Sequence, residues 1–106
     1  MSEAALAFRS GGRRYSVPIS EVREAARVPR LTPLPGSSAR CAGVALVRGT
    51  PLAVLEIEAR RSPQSRSLVL VFENRPFALL VDEVDGVEEP GSDATMLDLD
   101  ALERET

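Results

Sequence analysis

The fold of this 106-residue chain is decided by the stretch GVALVRGTPLAVLEI, residues 43–57. Two apolar runs rich in residues favoured in strands flank Arg48-Gly49. Glycine readily adopts the positive φ that a tight turn needs, so Arg48-Gly49-Thr50-Pro51 is read as the turn of a β-hairpin. The stretch predicts strands over Gly43–Val47 and Leu52–Ile57.

Short strands and turn residues alternate through the rest of the chain. Gly11-Gly12 predicts a second hairpin, with Pro18 at a strand edge or end. Residues 21–27 suit a helix by propensity but also alternate, and are interpreted as one helical turn running into a strand. Loops are expected over 28–36, with a bend at Gly36, and over 59–67 and 88–94. The further strands are Ala4–Arg9, Arg14–Ile19, Leu68–Glu73, Phe77–Val81 and Thr95–Leu99, followed by a helix over Ala101–Glu105 capped by Asp100. About eight short strands indicate an all-β barrel or sandwich.

The composition excludes most enzyme chemistry. The chain has no His, and all 13 of its basic residues are Arg. Catalytic triads with His, Lys Schiff bases and the P-loop are therefore excluded, as are the usual zinc sites. We expect a protein that is not an enzyme and has no cofactor and no metal; a hydrolase using carboxylates alone is a distant alternative.

Localisation follows from the apolar runs and from the one cysteine. No apolar run approaches the length that spans a membrane, so a soluble cytoplasmic protein without membrane contact is expected. Cys41 cannot form a disulfide within the chain, which is typical of a reducing compartment. We interpret it as a small apolar filler in preference to a reactive thiol.

Charge is distributed unevenly along the chain. Residues 1–66 contain eleven Arg and five acidic residues, a net charge of +6, and residues 67–106 carry a net charge of −9. This polarity favours docking to charged partners or contact between the two halves. Direct nucleic-acid binding is not expected, because the arginines are scattered and aromatic residues are few.

Five acidic residues surround Gly86. With Gly86 in the glycine position of an EF-hand loop, Val81 and Ser92 fall where carboxylates are needed, so the match fails. We interpret the acids as a solvated edge that discourages aggregation, in preference to a looser Mg²⁺ site. They are Asp82, Glu83, Asp85, Glu88 and Glu89.

Six blocks, in order along almost the whole chain, resemble the CheW family of chemosensory coupling proteins. They are the opening hairpin from Phe8 to Ile19, Val22-Arg23-Glu24, the Pro-rich approach over 32–36, Gly43 to Gly49, Leu79 to Val84, and a final strand and helix from Met96 to Leu102. Ala45 and Val47 stand where the family has Asn and Leu. The family also has about two more strands between Glu89 and Thr95, so the chain resembles most the short members found in gliding-motility systems.

The resemblance implies a fold of one CheW-like domain over residues 1–106. Two small SH3-like five-stranded β-barrels are expected side by side, with a short C-terminal helix. The first barrel is placed at Arg14–Glu58. The second combines residues 4–9 with residues 68–106 and is truncated after Glu89.

The resemblance also implies partners: the signalling tip of a chemoreceptor and a CheA-type histidine kinase. In the family, receptors dock in the groove between the barrels and the kinase contacts barrel ends. An adaptor with a truncated second barrel is expected to bind the kinase weakly or indirectly and not to form ordinary arrays. The alternative is a small regulatory or ligand-binding β-barrel unrelated to chemotaxis. The partner-binding residues carried over are Val22, Glu24, Gly43, Arg48 and Gly49, with Val81 and Val84 on the second-barrel side.

Overall fold

A computed structural model of the chain describes residues 3–28, 31–33, 40–57, 67–89 and 93–105. They form nine strands, a 3-10 turn at Ile19–Glu21 and a short helix, which confirms the all-β expectation. The elements are β1 (Ala5–Ser10), β2 (Arg13–Pro18), β3 (Val22–Val28), β4 (Cys41–Val47), β5 (Thr50–Leu55), β6 (Ser67–Phe72), β7 (Phe77–Val81), β8 (Glu83–Glu88), β9 (Thr95–Met96) and α1 (Leu99–Glu103).

Both predicted hairpins are present, and each has a two-residue turn. Gly11 and Gly12 have φ angles of 60° and 82°, and Arg48 and Gly49 have φ angles of 51° and 81°. Positive φ at both central residues is the type I′ pattern, whose twist matches that of the flanking strands. Pro18 ends β2, as expected.

The strands form two sheets. The four-stranded sheet has the order β8-β1-β2-β9, and the five-stranded sheet has the order β3-β6-β7-β5-β4. This pairing differs from the strand assignment predicted for the two barrels. β2 pairs with β1 and β9, so it does not join β3–β5, and β6 and β7 pair with β3 and β5. The β1–β2 pairing is the hairpin that Gly11-Gly12 predicted. The other partners are distant in the chain, and local sequence patterns do not specify them.

The five-stranded sheet is covered on both faces. Because side chains alternate along a strand, neighbouring residues of β6 and β7 enter different clusters. One cluster contains Leu55, Leu70, Phe77 and Leu79, and joins this sheet to Phe8 and Val17 of the other sheet. The second cluster is made of smaller residues from β3 to β7: Val28, Ala45, Val47, Val54, Val69, Val71, Ala78 and Leu80.

The five-stranded sheet closes on itself through its two edge strands, β3 and β4. Just beyond β3, Thr32 N–H donates to Val44 O at 2.9 Å, and Val44 N–H donates to Thr32 O at 2.8 Å. The second cluster therefore fills the inside of a small barrel, and this contact, which we call the seam, closes it.

α1 connects the two sheets. It follows β9 of the four-stranded sheet, and its Leu99 and Leu102 enter the cluster between the sheets. Arg75, in the turn between β6 and β7, binds Asp100 at 2.9 Å and Glu103 at 3.1 Å. The Arg75 side chain is only 13% exposed, which makes this contact firmer than an ordinary surface ion pair.

Two predicted elements differ from the structure. No strand was predicted over residues 82–87, whose acids were interpreted as a solvated edge, but β8 lies there and pairs with β1. The helix begins earlier than predicted, at Leu99, and its N-cap is Asp98 instead of Asp100. The Asp98 carboxylate accepts a hydrogen bond from Ala101 N–H at 3.1 Å, as N-cap residues do. The strand before the helix is correspondingly short.

The remaining predictions concern loops and membrane spans. The bend at Gly36 and most of the loop over 59–67 lie outside the described residues. In the part of the chain that the structure describes, no helix combines the length and apolar character needed to cross a bilayer.

Candidate functional site

Glu24 and Arg48, two of the predicted partner-binding residues, form one ion pair. Arg48 Nε donates to Glu24 Oε2 at 2.8 Å, and a terminal Arg48 nitrogen donates to Glu24 Oε1 at 2.9 Å. This two-pronged geometry fixes both side chains more firmly than a single contact does. The pair joins β3 to the β4–β5 turn and so links the two edge strands of the five-stranded sheet.

The two partners have different environments. The Glu24 side chain is 19% exposed and the Arg48 side chain is 77% exposed. The hydrogen bond from Arg48 lowers the pKa of the Glu24 carboxyl below its ordinary value, so Glu24 stays charged. The arrangement presents an oriented guanidinium to solvent, held by a carboxylate that is mostly covered.

Gly43 lies on β4 and has a structural requirement of its own. Its φ is +145°, and a Cβ built there would lie 2.7 Å from the Thr32 backbone oxygen and 3.1 Å from Leu31 Cβ. Glycine is therefore needed for the seam to close. The resemblance placed Gly43 in a binding surface. The structure shows that glycine is required at this position by the fold itself, whether or not a partner binds there.

Val22 and Val84 lie on different sheets but pack against the same core cluster. Val22 begins β3 and pairs with Phe72, while Val84 lies on β8 and pairs with Phe8. Both are half-buried at the margin of the cluster that joins the two sheets. They therefore offer apolar surface where the sheets meet.

The last two predicted residues differ in accessibility. Gly49 is exposed in the turn beside Arg48. Val81, in contrast, is only 2% exposed and belongs to the core cluster between the sheets. A partner could not reach Val81 without opening the core, so we leave it out of the proposed surface.

Three exposed apolar residues were not predicted from the sequence. Leu46 is 69% exposed, Val87 is 60% exposed and Met96 is 53% exposed. Leu46 lies between Ala45 and Val47, which both enter the barrel interior. Strand alternation could therefore have assigned Leu46 to the outer face, next to the Arg48 turn. Val87 lies on β8 and pairs with Leu6 on β1. It was missed because the acidic sequence of β8 did not indicate a strand.

The described side chains do not suggest a metal centre or a nucleophile. Across the described ranges, no three Cys, Asp or Glu side chains are grouped so as to hold a metal ion. Cys41 is half-buried, packs against the cluster between the sheets, and its Sγ lies 3.5 Å from Gly43 O. This environment suits the interpretation of Cys41 as a packing residue. The site is therefore a surface with a fixed ion pair and apolar margins, which suits binding.

Comparisons with known proteins agree on one family. The CheW-like domain profile matches residues 4–96. Protein PilI of Pseudomonas aeruginosa is 36% identical over 94 residues, which are 82% of this chain and 53% of PilI. The chain thus spans about half the length of this curated relative. The resemblance to short members from gliding-motility systems stays a prediction.

A solved structure shows the same fold. The crystal structure of scaffolding protein TtCheW from Thermoanaerobacter tengcongensis matches with a TM-score of 0.72 at 21% identity. The match covers 87% of this chain and 69% of that chain. At this identity the match supports the fold, and the profile match over residues 4–96 supports the family. The chain belongs to the CheW-like family of scaffold and adaptor proteins.

Proposed function

We propose that this chain is a non-enzymatic adaptor of the cytoplasm that couples a chemoreceptor to a CheA-type histidine kinase. The observation that carries the proposal is the pairing of Arg48 with Glu24 on the strand that begins with half-buried Val22, within a CheW-like fold. A fixed charge gives orientation to a contact, and apolar area gives affinity. Both are properties of a binding module.

The proposed receptor surface lies where the sheets meet. Val22 and Val84 are half-buried there, and Val87 adds an exposed apolar side chain on the same strand as Val84. A receptor signalling tip is proposed to dock against these residues. Arg48 is proposed to donate to an acidic or carbonyl group of the receptor while Glu24 holds it in place.

The proposed kinase contact is weaker than in longer relatives. The chain has little sequence between β8 and β9, and the four-stranded sheet ends in a β9 of only two residues. A surface built from strands is reduced when strands are missing. The adaptor is therefore proposed to bind the receptor well and to bind the kinase weakly or through another CheW-like protein.

Binding to a receptor signalling-tip fragment, measured by calorimetry, tests the proposal. The wild-type chain should bind, and Val84→Asp should bind at least tenfold more weakly because it places a charge on the apolar margin. Glu83→Ala, at an exposed neighbouring position, is the matched control and should bind like the wild type. The proposal would be refuted if the folded wild-type chain showed no detectable binding to the receptor signalling-tip fragment.

A further inference from the structure

One face of the four-stranded sheet is built from very small residues. The strand registers place Ser16, Ala7 and Gly86 in one row across β2, β1 and β8. Ala7 is fully buried, and Ser16 is also buried. Side chains of this size leave room for a longer side chain to cross the row.

Arg14 is that longer side chain. It lies on the same face of β2 as Ser16, since side chains two residues apart share a face. Its Nε donates to Asp85 Oδ2 at 3.1 Å, and another of its nitrogens binds Glu88. Both acids are on β8, two strands away and about 10 Å distant at ordinary strand spacing. The Arg14 side chain therefore crosses β1 on the face that carries the small residues.

Arg14 also reaches the other end of the sheet. Its third partner is Asp93, which lies two residues before β9. One guanidinium thus links β2, β8 and the segment that leads into β9. Arg9 on β1 adds a weaker contact to Asp85 at 3.3 Å and is 53% exposed. Two arginines therefore face three carboxylates at this position, and hydrogen bonding from Arg14 lowers the pKa of Asp85.

We propose that Arg14, Asp85, Glu88 and Asp93 form an electrostatic clasp that ties β8 to the segment before β9 across the four-stranded sheet, where the chain between β8 and β9 is short. The five-stranded sheet has an apolar interior and backbone hydrogen bonds at the seam, and Glu24–Arg48 is the ion pair described between its edge strands. Salt screens ion pairs and leaves apolar burial intact. The four-stranded sheet is therefore the part of the protein that opens first when ionic strength rises.

Amide hydrogen exchange of the full chain, compared at low and high NaCl, tests the clasp. Exchange in β8 and β9 should be about tenfold faster at high salt, because several partly exposed ion pairs each lose part of their contribution. Exchange in β6 and β7 should not change. A salt effect of equal size in both sheets would overturn the proposal.

Two variants and a matched control sharpen the test. Arg14→Met keeps an apolar stem and removes the charge, so β8 and β9 should lose their salt dependence whatever their absolute rate. Asp93→Ala removes one highly exposed partner, should fold normally and should lose part of that dependence. Glu89→Ala removes the same charge from an exposed residue with no ion pair to the described residues, and should behave like the wild type. Full salt dependence in either Arg14→Met or Asp93→Ala, or its loss in Glu89→Ala, would contradict the clasp.

Discussion

Replacing Gly43 by alanine should destabilise the protein by about 3 kcal/mol. A non-glycine residue at a strongly positive φ outside the left-handed helical region costs on the order of 1–3 kcal/mol. The new Cβ would also lie 2.7 Å from the Thr32 backbone oxygen, which cannot rotate away as a side chain can. Relieving that contact stretches the two seam hydrogen bonds, each worth about 1 kcal/mol.

Gly12→Ala is the matched control for the Gly43 variant. Gly12 has a φ of +82° and no atom within 4 Å of a built Cβ. Its replacement costs only the backbone strain, about 1 kcal/mol. Urea unfolding followed by far-UV circular dichroism or Tyr15 fluorescence gives both free energies. Equal losses for the two variants would refute the conclusion that the seam requires glycine at residue 43.

The Gly43 measurement also decides how binding data should be interpreted. If Gly43→Ala loses receptor binding only in proportion to its unfolded fraction, Gly43 contributes through the seam. If the folded variant binds poorly, the residue belongs to the contact surface as the resemblance implied. Binding should therefore be measured at a temperature where the variant remains folded.

Three other predictions concern the charges. Arg48→Ala should weaken receptor binding about tenfold, measured by calorimetry, because a charge-assisted contact is lost while the exposed turn keeps its fold. Arg48→Gly should bind the receptor as weakly as Arg48→Ala. It should unfold at a higher urea concentration than Arg48→Ala, since glycine suits the φ of 51° at this position. The pKa of the Glu24 carboxyl is lowered in the folded protein, so Glu24 stabilises the fold when it is charged. This contribution should be complete above about pH 4.3, the ordinary pKa of Glu, and should be lost as the pH falls below that value. Glu24→Gln should remove this part of the pH dependence of the unfolding free energy, measured by urea titrations at several pH values. The on-rate for the receptor fragment should fall as ionic strength rises, by stopped-flow measurement, if the uneven charge distribution steers association; an on-rate independent of salt would contradict that role.

Local structure was the part of the fold that the sequence predicted best. The Gly11-Gly12 and Arg48-Gly49 turns were predicted because positive φ has a clear residue signature. The inside and outside of β4 also follow from simple alternation. β8 was missed because its valines alternate with acids around Gly86, and this composition is equally typical of a solvated loop.

Contacts between residues that are distant in the chain could not be predicted from local sequence patterns. Glu24 and Arg48 are separated by 24 residues, and nothing in their spacing indicates an ion pair. The family resemblance named both residues but did not show that they bind each other. The placement of β2 in the first barrel followed the resemblance, although the Gly11-Gly12 turn already indicated that β2 pairs with β1. Pairing across a sheet depends on which partner buries the most surface, and that choice is made by the whole chain.

The shortened connection between β8 and β9 leads to a prediction about assembly. In longer family members, one kinase contact on each barrel is expected to let adaptor and kinase alternate in closed rings. In this chain the four-stranded sheet has β8 as one edge and the two-residue β9 as the other. Asp85 and Glu88 on β8 already bind Arg14, so they are engaged within the protein instead of facing a partner.

We therefore expect this adaptor to keep the receptor contact and to lose or weaken one of the two kinase contacts. A ring needs two contacts per member, because a unit with a single contact ends the chain of alternating proteins. Reconstitution with receptor and kinase, imaged by cryo-electron microscopy, tests this. Receptor-bound adaptor without extended lattices is the expected result, and adding a longer CheW-like protein should restore them. Ordered rings with this chain as the sole adaptor would show that the short sheet still supplies a full kinase contact.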